Sequence, residues 1–218
     1  MRDDPAVAAE LTRIGRLLVA DGLVVGTGGN ISARLGAADE ILITPSGYSL
    51  AELQPEDLVR LNLQGEARSG RARPSSEWQV HVEAYKARPD VQAVLHLHPP
   101  VSTMLDAIGR AIRLITTDHS YYVREIRRVP YIFPGTQELA EAVASQLDGA
   151  DVVLIRHHGC LVAAGDLGAA YQCALNLEAA AVATYGALLL GDQTTACPPG
   201  FLQRIRDLEA AGVTHDKH

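Results

Sequence analysis

The sequence predicts an α/β protein in three layers, α/β/α, in which helices cover a central, mainly antiparallel sheet within one domain. Three observations predict it. The runs "ISARL", "EILIT" and "VRLNL" are short, alternating and separated by turns, as in an antiparallel meander. Further along, strand signals alternate with helical ones. The 218 residues suffice for one sizeable core and nothing demands a second, so residues 1–218 read as a single domain.

The elements follow in order. Asp4-Pro5 is an N-cap with a first-turn proline, and "AVAAELTRIGRLLVADG" has helical periodicity that stops at Gly22. "GTGGN" (26–30) is a loop, followed by the three meander strands and the polar loop "GEARSGRARP". "SSEWQVHVEAYKARPD" is a helix capped by Ser76 and closed near Arg88-Pro89. "VQAVLHLH" is a strand and "PPVSTMLDAIG" a short helix. Between Arg110 and Gly135 the pattern gives short strands around "RLIT" and "RRVPYI" with a loop or helical turn between. Thr136 caps the helix "QELAEAVASQL", "DVVLIRHHG" is an apolar strand, and Asp166 caps a long helix to about Leu190. "PGFLQRIRDLEAAG" is the last helix, and residues 212–218 form a disordered tail.

Composition narrows the function. Apolar residues make up 47% and charged residues 21%, ordinary for a globular protein. A formal charge of −7 argues against nucleic acid as a partner, while leaving room for a local anion pocket. The N-terminal helix carries charges throughout and does not read as a signal peptide. The apolar region from Ala169 to Leu190 contains Gln172, Asn176 and Glu178, so it reads as a buried helix and no membrane span is expected. Three scattered cysteines fit a reducing, cytoplasmic setting.

Four constellations carry chemistry. In "LHLHPP", Leu95 and Leu97 face one way and His96 and His98 the other, with Cα atoms about 6.5–7 Å apart. Leu95 and Leu97 mark the core side of that strand. Two imidazoles so placed can converge on one cation. "RHHG" ends another strand with His157 and His158; adjacent residues face opposite ways, so one of the two can join the first pair. Three histidines at neighbouring strand ends would leave a fourth position open, the arrangement of a catalytic metal site. "PSSEW" puts Ser75, Ser76 and the carboxylate of Glu77 at a helix start that runs into the LHLH strand, where Glu77 can be ligand or general base. "GTGGN" and "TPSG" offer backbone amides at Gly28 and Gly47, an amide at Asn30 and a hydroxyl at Thr44, donors suited to an anion.

Together and in this order, "GTGGNIS", "ITPSGY", "PSSEWQVHVEAYKARPDVQAVLHLHPP" and "LIRHHGCLV" resemble the class II aldolase/adducin family, and most nearly its branch acting on L-fuculose 1-phosphate. The resemblance implies the α/β/α fold and a divalent metal, usually Zn2+ and otherwise Mn2+ or Co2+. It implies His96, His98 and His158 as ligands and Glu77 as acid/base. It implies Gly28, Asn30, Thr44, Gly47, Ser75 and Ser76 as the holders of a substrate phosphate, and a homotetramer with sites between subunits. The implied reaction is cleavage of a ketose 1-phosphate to dihydroxyacetone phosphate and an aldehyde through a metal-stabilised enediolate. That branch carries a tyrosine, supplied by a neighbouring subunit, in the region that here reads "LITTDHSYYVREI". Thr116 falls near its position, and Tyr121, Tyr122 and His119 are the candidate proton donors in its place. Decarboxylation, or another lyase reaction on the same scaffold, is the alternative. A sugar-phosphate 4-epimerase would carry Asp at Glu77, and a non-enzymatic adducin-like domain would have no use for an open metal site.

Overall fold

A computed structural model of the chain describes residues 4–36, 39–69 and 72–212. Beyond Gly212, the expected tail lies outside the described residues. One eight-stranded sheet runs through the molecule in the order β4-β3-β2-β1-β5-β8-β7-β6. Its strands are β1 (Asn30–Arg34), β2 (Glu40–Ile43), β3 (Val59–Asn62), β4 (Ala67–Ser69), β5 (Ala93–Leu97), β6 (Ile126–Val129), β7 (Val152–Ile155) and β8 (Gly159–Ala164). All described pairings are antiparallel except β6 with β7. The helices are α1 (Asp4–Ala20), α2 (Trp78–Ala87), α3 (Pro100–Ala107), α4 (Thr117–Val123), α5 (Gln137–Ser145), α6 (Leu167–Leu189) and α7 (Pro199–Ala210).

Side-chain alternation along the strands separates two cores. On one face Ile31, Leu95, Leu97, Leu154, Cys160 and Val162 pack with α1 and α6 residues such as Leu11, Ile14, Ala174 and Leu177. On the other, Ile41, Ile43, Val94, Val153, Leu161 and Ala163 pack with Val80, Val82 and Tyr85 of α2 and Leu139 and Val143 of α5. The expected three layers follow from this two-sided burial. The expectation that only Leu95 and Leu97 mark the core side of their strand needs correcting. All five residues of β5 are buried, because a central strand has helices over both faces, and His96 is fully enclosed on the α2 face.

Four local readings are also corrected. The "GEARSGRARP" loop contains β4, an edge strand whose three residues are all exposed and so show no alternation. "GCLVAA" is β8, which begins at the glycine that looked like an ending. It pairs back on β7 with Ile155 opposite Gly159, across a turn in which His157 adopts φ +58°. "RLIT" is not a strand, and Thr116 caps α4 by accepting from the His119 amide. Ser76 does not cap α2: Glu77 occupies the cap position, while Ser75 Oγ accepts the Glu77 amide at 3.3 Å.

Two contacts tie the site strand to its surroundings. Asn30 pairs with His96 across β1 and β5, and His96 with Leu161 across β5 and β8. The Glu178 carboxylate on α6 accepts from the Val101 and Ser102 amides at 2.8 and 2.9 Å, capping α3 just past His98.

Candidate metal centre

Glu77, His96, His98 and His158 each bring a ligand atom to one place, all within 4.8 Å of one another. β5 delivers His96 and, one pleat later, His98. The β7–β8 turn delivers His158, and the cap position just before α2 delivers Glu77. His96 Nε2 stands 3.2 Å from His98 Nε2, 3.3 Å from His158 Nε2 and 2.9 Å from Glu77 Oε2. His158 Nε2 is 3.4 Å from Glu77 Oε1.

These contacts are not a satisfied hydrogen-bond network. His96 Nδ1 donates to the Cys160 carbonyl at 3.0 Å, and its Nε2 can bring at most one hydrogen to the three ligand atoms around it. Lone pairs then face one another and a carboxylate in a buried space, and Glu77 Oε1 and His158 Nδ1 are buried with no hydrogen-bond partner. A cation resolves the mismatch. Two nitrogens each about 2.0–2.1 Å from a tetrahedral ion lie about 3.3–3.4 Å apart, the spacing seen here. The donor set, three imidazoles and one carboxylate, suits zinc and similar divalent metals.

Electrostatics agree with that reading. Burial pulls His98 down to about 4, helped by the neighbouring imidazoles of His96 and His158, so it is neutral and ready to ligate at ordinary pH. Burial likewise lowers His158. Burial alone would raise Glu77, but the hydrogen bond with His96 and the nearness of the His96, His158 and His98 imidazoles outweigh it and hold the carboxyl at about 2.

Glycine makes room for His98 on two sides. A Cβ on Gly159 would sit 2.3 Å from the Leu97 carbonyl and 2.5 Å from His98 Cδ2. One on Gly28 would sit 3.1 Å from His98 Nδ1. Gly28, expected as an anion donor, is therefore also the wall behind a ligand ring.

Beside the cluster lie the other rim residues. Pro45 bridges Pro74, and the Ser75 amide donates to the Thr44 carbonyl at 3.1 Å, which zips the two loops together. Thr44 Oγ1 accepts the Ile31 amide at 3.2 Å, and Asn30 precedes that residue. Thr44, Ser75 and Asn30 are thus gathered and buried, each with a side-chain oxygen already accepting from the protein. What Thr44 and Ser75 still offer is their O–H groups. Ser76 and Gly47 are exposed, with Gly47 at φ +79°.

The expected proton donors lie elsewhere within the chain. Tyr121 and Tyr122 line a cavity of about 450 Å3 with Arg88, Asp151 and Ala164. Arg88 ends α2 where Glu77 begins it, and Ala164 ends β8 where Gly159 begins it. The tyrosines therefore stand at the opposite end of the sheet. His119 Nδ1 accepts from the Thr116 amide at 3.4 Å as part of the α4 cap.

Two residues escaped the sequence reading. Gly159 passed for a turn glycine, and only a view of β5 beside β8 reveals its contact with His98. His81 is fully buried on α2 against Asn30 and Ser32. Its signal was available: His81 and Tyr85 form a polar pair at i, i+4 on a helix face otherwise made of valine and alanine.

The sequence model of a family described as Class II Aldolase and Adducin N-terminal domain matches residues 9–185. A 5-methylthioribulose-1-phosphate/5-deoxyribulose-1-phosphate aldolase of Rhodospirillum rubrum is 40% identical over 162 residues, covering 72% of this chain and 70% of its own. An L-fuculose phosphate aldolase of Methanocaldococcus jannaschii is 34% identical, covering 74% of this chain and 86% of its own. A solved L-fuculose 1-phosphate aldolase superposes with a TM-score of 0.84 at 29% identity, over 92% of this chain and 96% of its own.

Proposed function

The chain belongs to the class II aldolase/adducin family and is a lyase of the class II aldolase type, and on that premise we propose that it reversibly cleaves a short ketose 1-phosphate to dihydroxyacetone phosphate and an aldehyde. The observation that carries this reading is a buried carboxylate held against three convergent imidazoles beside a rim of leftover donors. When bound by His96, His98 and His158, a divalent metal, which we propose is zinc, supplies Lewis acidity to a substrate carbonyl. Glu77, ionised at neutral pH, is the base that takes and returns the carbon-bound proton, and Oε1 is the atom with no other hydrogen-bond partner. The O–H groups of Thr44, Ser75 and Ser76, the amide of Asn30, and the backbone of Gly28 and Gly47 are assigned to the phosphate, since a rim whose acceptors are already taken favours an anion.

Among the relatives' substrates, fuculose phosphate and the methylthioribulose and deoxyribulose 1-phosphates share one end of the molecule, a ketose carbonyl beside C1 phosphate. The rim addresses that common end, so the substrate class is the ketose 1-phosphate and the distal carbons decide between L-fuculose and ribulose types. The assignment extends to a homotetramer with sites between subunits, supported by exposed Val182, Tyr185, Leu189 and Leu190 on or next to one helix. It extends to a cytoplasmic setting, supported by Cys160, Cys173 and Cys197 standing free. No helix among the described residues is long and apolar enough to cross a membrane.

Proton exchange tests the reaction. Metal-replete protein given dihydroxyacetone phosphate in heavy water should exchange a C3 proton without any aldehyde present, followed by NMR. Glu77→Gln should abolish the exchange. A fully metallated protein that exchanges nothing overturns the reading. A second reading, decarboxylation of a hydroxy acid, draws on the altered segment 116–122, where Thr116 falls near the tyrosine position of the L-fuculose 1-phosphate branch, and bicarbonate release without exchange would select it.

A further inference from the structure

His81 is a buried histidine that takes no part in the metal cluster, and its two ring nitrogens are both engaged. Nδ1 lies 2.7 Å from Ser32 Oγ, which lies 2.9 Å from the Tyr85 hydroxyl; Nε2 lies 2.5 Å from Asn30 Oδ1. All four residues are buried. Burial, with the nearby His96, keeps the ring neutral by pushing it down to about 3.

The chain Tyr85–Ser32–His81–Asn30 can carry its hydrogens in two senses. In one, Tyr85 O–H donates to Ser32, Ser32 O–H donates to Nδ1, and Nε2–H donates to Asn30 Oδ1. Every hydrogen then has an acceptor. In the other, the Asn30 amide is turned over and donates to Nε2, Nδ1–H donates to Ser32, and Ser32 donates to Tyr85. That leaves the phenolic hydrogen of Tyr85, itself 1% exposed, with no acceptor among the described contacts. A buried donor left unmade costs about 1–3 kcal/mol, so the first sense prevails. With Oδ1 committed to His81, Asn30 has only its two N–H groups to offer a ligand.

We propose that His81 is a positioning residue which, polarised by Ser32 and Tyr85, locks the Asn30 side-chain amide with its N–H groups presented to the substrate phosphate. This rests on the phosphate assignment made above. Thr44 and Ser75 have their acceptor side taken by backbone amides, which cannot turn over. Asn30 alone could present either a carbonyl or an amine, and a carbonyl facing a phosphate would repel it. His81 removes that choice from α2, without touching substrate.

The test compares full-length, metal-loaded variants in the heavy-water exchange of dihydroxyacetone phosphate. His81→Phe keeps a ring but removes both hydrogen bonds. It should raise KM about 10–100-fold, the value of one hydrogen bond to a charged group, with kcat within about threefold and metal content unchanged. His81→Gln, which can still donate to Oδ1, should recover most of the loss. Ser32→Ala, which removes the donor to Nδ1, should raise KM less than His81→Phe, and it carries the test with His81→Gln should the phenylalanine variant not fold. Asn30→Ala should raise KM at least as much as His81→Phe. An unchanged KM in His81→Phe with a raised KM in Asn30→Ala overturns the positioning role alone. An unchanged KM in Asn30→Ala, Thr44→Val and Ser75→Ala overturns the phosphate assignment beneath it. A fall in kcat or in bound metal in His81→Phe that glutamine fails to recover also overturns the role, since it marks packing.

Discussion

The same strands and the same helix carry polar residues at both ends, and the two ends are built on opposite rules. At the start of β8 and of α2, His96, His98, His158 and Glu77 face each other with more lone pairs than the protein's hydrogens can reconcile. At the finish of β8 and of α2, charge meets countercharge. Arg88 pairs with Asp90 at 2.6 Å and Asp151 at 3.3 Å and caps the Leu147 and Ala150 carbonyls, while Arg124 pairs with Glu209. Both ends gather ionisable groups, so their presence does not distinguish the two. What separates them is whether the polarity is resolved internally. A buried cluster left unresolved is stable only with something to complete it, and that marks the functional end.

The largest break in this comparison is His96→Ala. It removes the nitrogen on which all three other ligand atoms converge, so bound metal should fall to background and kcat/KM by about 10³-fold or more, read by metal analysis and the exchange assay. Retained stoichiometry would mean the metal sits elsewhere. Gly159→Ala comes next. Its methyl group would overlap the Leu97 carbonyl and the His98 ring, so metal affinity should drop about 10–100-fold, as when a ligand loses its supporting contact. A chelator titration reads the change, and unaltered affinity would show that His98 has room to move.

A pH titration of the metal-free protein sharpens the contrast without mutation. His98 and His158 have depressed values in the folded state, near 4 for His98, against an ordinary 6.5. The unfolded chain therefore binds more protons below pH 6.5, and stability is greatest above that pH and falls as pH drops toward 4. Below the ordinary value of 4.5, Glu77 adds to the loss down to about 2. The Tm of metal-free protein should fall by several degrees between pH 7.5 and 5, at about 2–4 °C per kcal/mol for a chain of this size. Saturating zinc at pH 7.5 should raise it. A flat profile would mean the imidazoles are not held neutral.

The smallest effect on activity is expected at the opposite end. Arg88→Met should leave the exchange kinetics within about twofold while costing about 1–3 kcal/mol of stability, seen in denaturant unfolding, because it strips donors from two carbonyls and two carboxylates. A large fall in kcat would erase the distinction between the two ends.

How far each end was legible in the sequence follows the same division. His96 and His98 were visible because a strand's period of two places them together, and "RHHG" was visible as polar residues closing an apolar run. Spacing did not choose His158 over His157, since the choice depends on a turn in which His157 takes φ +58°; the family resemblance supplied it, and His158 is the one gathered at the cluster. β4 was invisible because exposed edge residues need no pattern, and β8 because a tight hairpin lies behind a glycine read as a stop. Tyr121 and Tyr122 were legible only as hydroxyls near the tyrosine position of the family's L-fuculose 1-phosphate branch; within one chain they lie at the far end of the sheet, and a donor supplied by a neighbouring subunit depends on an assembly that one sequence does not spell out. His81 left a signal in its i, i+4 pairing with Tyr85, but its partners Asn30 and Ser32 on β1 are contacts that only the folded chain makes.

The location of β5 in the sheet sets when the cluster can exist during folding. His96 and His158 are 62 positions apart; the pairing of β5 with β8 that brings them together, like that of β1 with β5 beside it, closes a long loop between distant segments. Such contacts form slowly and late. A partly folded chain that has only its local helices and the β1–β3 meander holds no ligand set, so metal binds the completed sheet and little else. A divalent metal held there would act by mass action on the native state, stabilising it by RT ln(1 + [M]/Kd), and the rate at which refolding protein captures it would be a clock for the assembly of its central strands.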